Sequence, residues 1–268
     1  MILSHTSRGS IGPHLVLLHG MLGNKKNWAS ILRELDSTFQ CHALDLRNHG
    51  DSSHRDEMDF DLLAGDLRES LDHLGLDQII LVGHSLGGKV AMKFAAEFPE
   101  RTEGLLIADI APRQYQPHFD SVIEILLQIE LSNHSSRREI DELLSGKLPD
   151  WGFRQFLLTN LALEGNQLSW KSNLRALHSN RFVLAENPLS ETQQYLGPTL
   201  FVRGGKSSFI RPTDYQSIFH HFPTAAIETF PEAGHNVHTE DRPAFVRAIQ
   251  SLSENLKTRL TRLVGNEF

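Results

Sequence analysis

A chain of 268 residues can bury a substantial core and suits one large α/β domain, or a core carrying an inserted piece, better than two equal domains. Its net charge of -7 argues against a broad basic face for nucleic acid or an anionic membrane and leaves small neutral or acyl substrates open. With a single cysteine, Cys41, the chain can form no internal disulfide, and no apolar run approaches the length of a membrane span.

In chain order, after a short N-terminal segment, Leu15 to Leu18 is an apolar run that ends at His19 and Gly20 and reads as a strand. A loop through Asn24 leads into a helical stretch from Trp28 to Leu35. Cys41 to Asp45 is the next strand, with Cys41 expected as a buried strand residue, and a polar loop from Leu46 to Ser53 follows. Phe60 to Leu74 is helical, placing Leu62, Leu63, Leu67, Leu71 and Leu74 on one face. Ile79 to Val82 is a β-branched run bounded by Gly83, and Leu86 to Phe98 then takes up the 3.6-residue period until Pro99 stops it. Gly104 to Asp109, Thr199 to Arg203 and Ala226 to Phe230 read as further strands, with helices at Thr213 to Phe222 and Arg242 to Leu256. Such alternation implies right-handed crossovers and a mostly parallel sheet covered by helices on both faces.

From Pro112 to about Leu196 the alternation stops. Only helical patterns are evident there, at Phe119 to Leu131, Arg137 to Leu144, Trp151 to Thr159 and Ser172 to Ala185, with no convincing strand. An excursion of this length is expected to form a helical cap of residues 112–196, inserted into a core of residues 1–111 and 197–268. Ligands of open α/β sheets bind at the carboxyl ends of the strands, which such a cap would roof.

The chemistry centres on Gly83-His84-Ser85-Leu86-Gly87, a strand-to-helix turn in which a strained serine is pushed into a cleft. A serine hydroxyl needs a base to take its proton, and the base needs an acid to fix its tautomer. His235, in the loop after the last strand, can reach the same sheet edge; His238 is expected to pack or cap, and the pair lacks a third ligand for a metal. The acid is less obvious, because the loop Gly204 to Pro212 carries no carboxylate. Two candidates remain. Asp214 has a ready role at a helix start, whereas Asp109 ends an apolar run at the active edge, where a carboxylate needs a partner such as an imidazole N–H. Asp109 is therefore preferred. The N–H of Leu86, at a helix N-terminus, and that of Met21 are the candidate oxyanion donors.

Around this centre, Leu22, Ile110, Phe153 and Trp170 are candidate substrate contacts, with Phe156 and Leu157 as further pocket candidates or mere packing. Asp45 and Arg47 read as structural, holding the Asp51 loop. Lys25 and Lys26, near the cleft mouth, read as solvated charges that could also meet an anionic substrate group.

The motifs His19-Gly20, Asp45 to Ser52, Gly83 to Lys89 and Gly234-His235 resemble the α/β-hydrolase superfamily along almost the whole chain. Within it, Asp109-Ile110-Ala111-Pro112 and Gly204-Gly205-Lys206-Ser207 are similar to the YbfF-type esterases and their mitochondrial abhydrolase relatives. That branch also lacks the acid after the post-cap strand, which supports Asp109. The resemblance implies a serine hydrolase of carboxylic esters or acyl thioesters, needing no cofactor or metal. Rival readings are a C–C bond hydrolase or lyase with the same triad, and a ligand-binding protein that has kept the fold without turnover. A cytoplasmic protein acting on a small-molecule substrate is expected, without nucleic acid or a membrane span. The physiological substrate, acyl length and oligomeric state are not read from these residues.

Overall fold

The computed structural model describes residues 1–165 and 167–265. In chain order the elements are β1 (His5–Arg8), β2 (His14–Leu18), α1 (Ala29–Leu35), β3 (Gln40–Leu44), α2 (Phe60–Leu74), β4 (Ile79–His84), α3 (Leu86–Glu97) and β5 (Thr102–Ala108). Then come α4 (Asp120–Leu127), α5 (Arg137–Ser145), α6 (Trp151–Leu158), β6 (Leu161–Glu164), β7 (Gln167–Trp170), α7 (Leu174–Ser179) and α8 (Arg181–Ala185). The last group is β8 (Thr199–Gly204), α9 (Tyr215–His221), β9 (Ala225–Phe230), α10 (Val237–Glu240) and α11 (Arg242–Gly265).

Seven strands form one sheet in the order β1-β3-β2-β4-β5-β8-β9. All neighbours pair in parallel except β1, which runs antiparallel to β3 at the edge. The chain builds outward from β2 to β3, then returns to place β4 on the other side of β2. The strand order thus reverses between β2 and β4, and a crevice opens at their carboxyl ends, where the His19–Gly20–Met21 loop faces the Ser85 turn.

One apolar layer packs α2, α3 and α9 against one face of the sheet, through residues such as Leu63, Leu67, Val90, Phe94 and Ile218. On the other face Ile31, Leu35, Phe245 and Ile249 bring α1 and α11 together. Strands buried on both faces explain the unbroken apolar runs at β2 and β4. Local sequence sets the helix ends: Asp59 caps α2 by accepting from the Leu62 N–H at 2.7 Å, and Gly75 closes it in the left-handed conformation at φ 67°. Pro99 follows α3 after one residue.

Three sequence expectations need correction. Strand β1 was not foreseen, because His-Thr-Ser-Arg is exposed on both faces and offers no apolar alternation; it is held by backbone pairing to β3. The excursion between β5 and β8 is not wholly helical. It contains the antiparallel hairpin β6–β7, with Leu161 opposite Trp170, a pair of four-residue strands too short to show a period. The stretch expected as one helix over Ser172 to Ala185 is broken at Asn180 into α7 and α8. Among the described residues, no helix is long and apolar enough to cross a membrane.

Candidate active site

Ser85 occupies the turn between β4 and α3 with φ 53° and ψ -117°, a conformation that costs a non-glycine residue about 1–3 kcal/mol. The flanking glycines permit it. A Cβ at Gly83 would lie 2.3 Å from Gly87 O, and one at Gly87 would lie 2.4 Å from Leu18 O and 2.6 Å from His19 O. The turn is therefore pressed against the end of β2, and the Gly87 N–H donates to His19 O at 3.1 Å. Ser85 itself is 7% exposed.

Asp109 follows directly on β5, again with a left-handed backbone at φ 51° and no solvent exposure. A carboxylate so placed needs donors, and it has three. Oδ1 accepts the Gly204 N–H at 2.9 Å, while Oδ2 accepts the His235 Nδ1–H at 2.9 Å and the hydroxyl of Ser207. The last residue of β8 and the acid-free loop after it thus supply two donors to an acid from the neighbouring strand. Asp214 does not approach His235. It accepts the Arg211 N–H at 2.8 Å and pairs with Arg113 at 3.0 Å, organising the start of α9.

His235 is fixed on several sides. With Nδ1 committed to Asp109, the ring's second nitrogen, Nε2, is left buried and makes no hydrogen bond among the described residues. The ring of Phe209 stacks on it with centroids 3.7 Å apart and planes 16° apart. Its backbone carbonyl accepts from His84 Nε2 at 2.9 Å, so the residue before Ser85 anchors the loop that holds His235. Burial keeps the His84 pKa well below the usual imidazole range. His238 packs between Trp28 and His84, with ring centroids 4.7 and 4.5 Å away, and burial pushes it down to about 3. Both side chains are structural neutral imidazoles. His84 and Ser207 stand inside motifs quoted from the sequence, but neither motif states their roles, and Phe209 carries no pattern that would have marked it beforehand.

Among the described residues, the N–H groups of Met21 and Leu86 make no backbone hydrogen bond. Both residues line the space beside Ser85. The Met21 loop is tightly built: His19 donates from Nδ1 to Gly20 O at 2.8 Å and accepts the Leu46 N–H at Nε2, 3.0 Å away. His49 Nε2 accepts the Leu22 N–H at 3.2 Å. Leu22 itself has φ 56° and is 1% exposed, so it is corrected from substrate contact to loop support. Its carbonyl accepts from Asn160 Nδ2, and Asn160 Oδ1 accepts from Asn24 Nδ2 at 3.1 Å, tying this loop to the segment between β5 and β8.

Two cavities meet at Ser85. A narrow one of about 70 Å³ includes Ile110, Leu86 and Lys89 in its wall, and a wide cleft of about 780 Å³ includes His235, Phe153 and Phe156. Met21, Ser85 and Phe119 line both. Trp170 lines neither; it belongs to the β6–β7 hairpin and packs against the core, a second correction. Leu157 is likewise fully packed in the core.

The charged residues beside the site also sort differently from expectation. Lys25 is not solvated: it is 8% exposed, and its Nζ lies 2.8 Å from Asp45 Oδ2, 2.8 Å from Asp51 Oδ2 and 2.6 Å from Ser4 Oγ. Lys26 alone is exposed. Asp45 also accepts the Asp51 N–H at 2.8 Å and so holds that loop, but Arg47 turns away to a two-pronged pair with Asp66 at 2.7 and 2.9 Å. Cys41 is buried in β3, and burial raises its thiol to about 12.

The comparisons with known proteins agree with this architecture. Residues 13–123 match the family model described as the alpha/beta hydrolase fold. The chain is 37% identical over 247 residues to the sn-1-specific diacylglycerol lipase ABHD11 of Mus musculus, covering 89% of this chain and 80% of that one. The chain belongs to the α/β-hydrolase family. It is also 29% identical over 237 residues to esterase YbfF of Escherichia coli (strain K12), covering 88% of this chain and 91% of that one. Among solved structures, a marine microorganism esterase superposes with a TM-score of 0.90 at 33% identity, covering 94% of this chain and 99% of that one.

Proposed function

We propose that the protein is a serine hydrolase of carboxylic esters or acyl thioesters that works through an acyl-enzyme, with Ser85 as nucleophile, His235 as base and Asp109 as the acid that orients it. The observation that carries this reading is the 2.9 Å bond from His235 Nδ1 to Asp109, which fixes the tautomer whose Nε2 can accept the Ser85 proton in the shared cleft. The esterases and the lipase to which the chain is similar support the substrate class.

In the first half-reaction Ser85 Oγ attacks the acyl carbon as His235 takes its proton, and the carbonyl oxygen gathers negative charge between the N–H groups of Met21 and Leu86. The Leu86 donor sits at the first residue of α3, where the helix dipole favours an anion. His235 then protonates the departing alcohol or thiol. In the second half water, deprotonated by His235, attacks the acyl carbon and releases the acid with Ser85 restored. Asp109 stays ionised throughout and stabilises the imidazolium. The segment between β5 and β8 acts as a cap, closing the cleft with Phe119, Phe153 and Phe156.

The testing experiment is steady-state hydrolysis of p-nitrophenyl and acyl-thioester substrates by the wild-type chain and by Ser85→Ala. Saturable turnover abolished in the variant is expected; equal turnover by the two proteins would overturn the assignment.

A further inference from the structure

The two cavities at Ser85 differ in volume by about tenfold, about 70 against about 780 Å³, and only the wide one is lined by His235. That asymmetry orients the substrate. A base that has taken the nucleophile's proton must return it to the leaving oxygen or sulfur, so the leaving group departs on the side that His235 faces. The acyl chain is then directed into the narrow pocket.

We propose that the enzyme selects short, apolar acyl groups, of about four carbons or fewer, joined to large leaving groups; this rests on the ester or thioester hydrolase reading above. A cavity of about 150 Å³ holds the six carbons of benzene, so about 70 Å³ holds roughly three carbons beyond the carbonyl. The walls resist widening. Ile123 is 1% exposed and Leu177 0%, and both are locked into the main core, so a longer chain has to displace packed side chains. The wide cleft, by contrast, falls within the size range of pockets that hold drug-sized ligands.

Charge selects as well. The narrow pocket has two basic side chains in its wall, and both are engaged. Lys89 Nζ donates to the carbonyls of Leu184, Ala185 and Glu186, closing the end of α8, and Arg181 bonds Asp120 at 3.1 Å and His178 O at 2.8 Å. A carboxylated acyl chain would meet the Asp120 carboxylate in the same wall, whereas an alkyl chain meets Ile110, Ile123, Leu177 and Leu184.

The experiment holds the leaving group fixed and varies the acyl chain of p-nitrophenyl esters from acetate to dodecanoate, then holds acetate fixed and lengthens the alcohol. The expected result is a kcat/KM maximum at or below butanoate with a loss of about tenfold or more by octanoate, since each methylene in a filled pocket counts. Lengthening the alcohol should cost far less. Leu177→Ala and Ile123→Ala should move the acyl optimum to longer chains, and the wild-type series decides the matter even where a variant folds poorly. Octanoate turned over as well as butanoate would overturn the proposal while leaving the hydrolase reading intact. Absence of turnover on every ester, together with no fluorophosphonate adduct on Ser85, would remove both.

Discussion

Asp109 and His235, 126 positions apart in the chain, meet at 2.9 Å between carboxylate Oδ2 and imidazole Nδ1, with the carboxylate fully buried and shared with the Gly204 N–H and the Ser207 hydroxyl. Asp109→Asn should therefore lower kcat by about 10⁴-fold, because an amide can present its N–H to Nδ1 and so favour the wrong tautomer. Asp214→Asn should leave kcat near wild type, as its contacts are to Arg211 and Arg113. Steady-state kinetics of the two variants side by side checks the assignment, and the reverse ranking would transfer the role.

This pairing was within reach of the sequence because Asp109 stands at the end of an apolar strand with no local use for its charge, and His235 follows the last strand. The strand, turn and helix around Ser85 were legible for a similar reason: local period and glycine placement state them directly. What stayed hidden depends on long-range contact. Lys25 looks like any surface lysine until Asp45, Asp51 and Ser4 converge on it. Leu22 looks like a cleft residue until its left-handed backbone turns the side chain into the core. Phe209 stacks on His235 across 26 residues of chain, and no period encodes that.

Glycine positions give a stability test with opposite signs. Gly87→Ala would place a methyl 2.4 Å from Leu18 O, so a loss of about 1–3 kcal/mol or more is expected, together with most activity. Gly65 lies inside α2, and an added Cβ meets nothing within 4 Å. Gly65→Ala should stabilise by about 0.5–1 kcal/mol with unchanged turnover. Denaturant unfolding of both variants measures this.

Buried histidines should make the fold acid-sensitive. Burial holds His49 and His238 down to about 3 and His42 down to about 4, whereas in the unfolded chain they take up protons in the ordinary range near 6.5. Below that range the unfolded state binds more protons than the fold, so the stability they contribute is complete above about pH 6.5 and is lost progressively as pH falls toward their folded values. From pH 6.5 to 5, His49 and His238 should each remove about 2 kcal/mol, an order-of-magnitude figure, in a window where most carboxylates remain ionised. Urea unfolding midpoints should drop steeply across it; constant midpoints would contradict the account.

Asn160 is expected to act as a positioning residue for the Met21 loop, since its amide bridges Leu22 O and the Asn24 side chain while it is itself 2% exposed. Asn160→Ala should lower kcat and slow fluorophosphonate labelling of Ser85 with a smaller effect on KM, because a displaced loop weakens oxyanion stabilisation, worth about 3 kcal/mol per donor, more than substrate binding. A purely structural role would instead lower the unfolding midpoint and leave both rates unchanged in the folded protein.

The central claim is that Ser85 is an activated nucleophile. Intact-mass and peptide mass spectrometry after treatment with a fluorophosphonate tests it most directly, comparing the wild-type chain with Ser85→Ala and His235→Ala. The account predicts one adduct per chain on the peptide carrying Ser85, absent in Ser85→Ala and formed far more slowly in His235→Ala. An unlabelled folded wild-type protein, or an adduct on another serine, would contradict it.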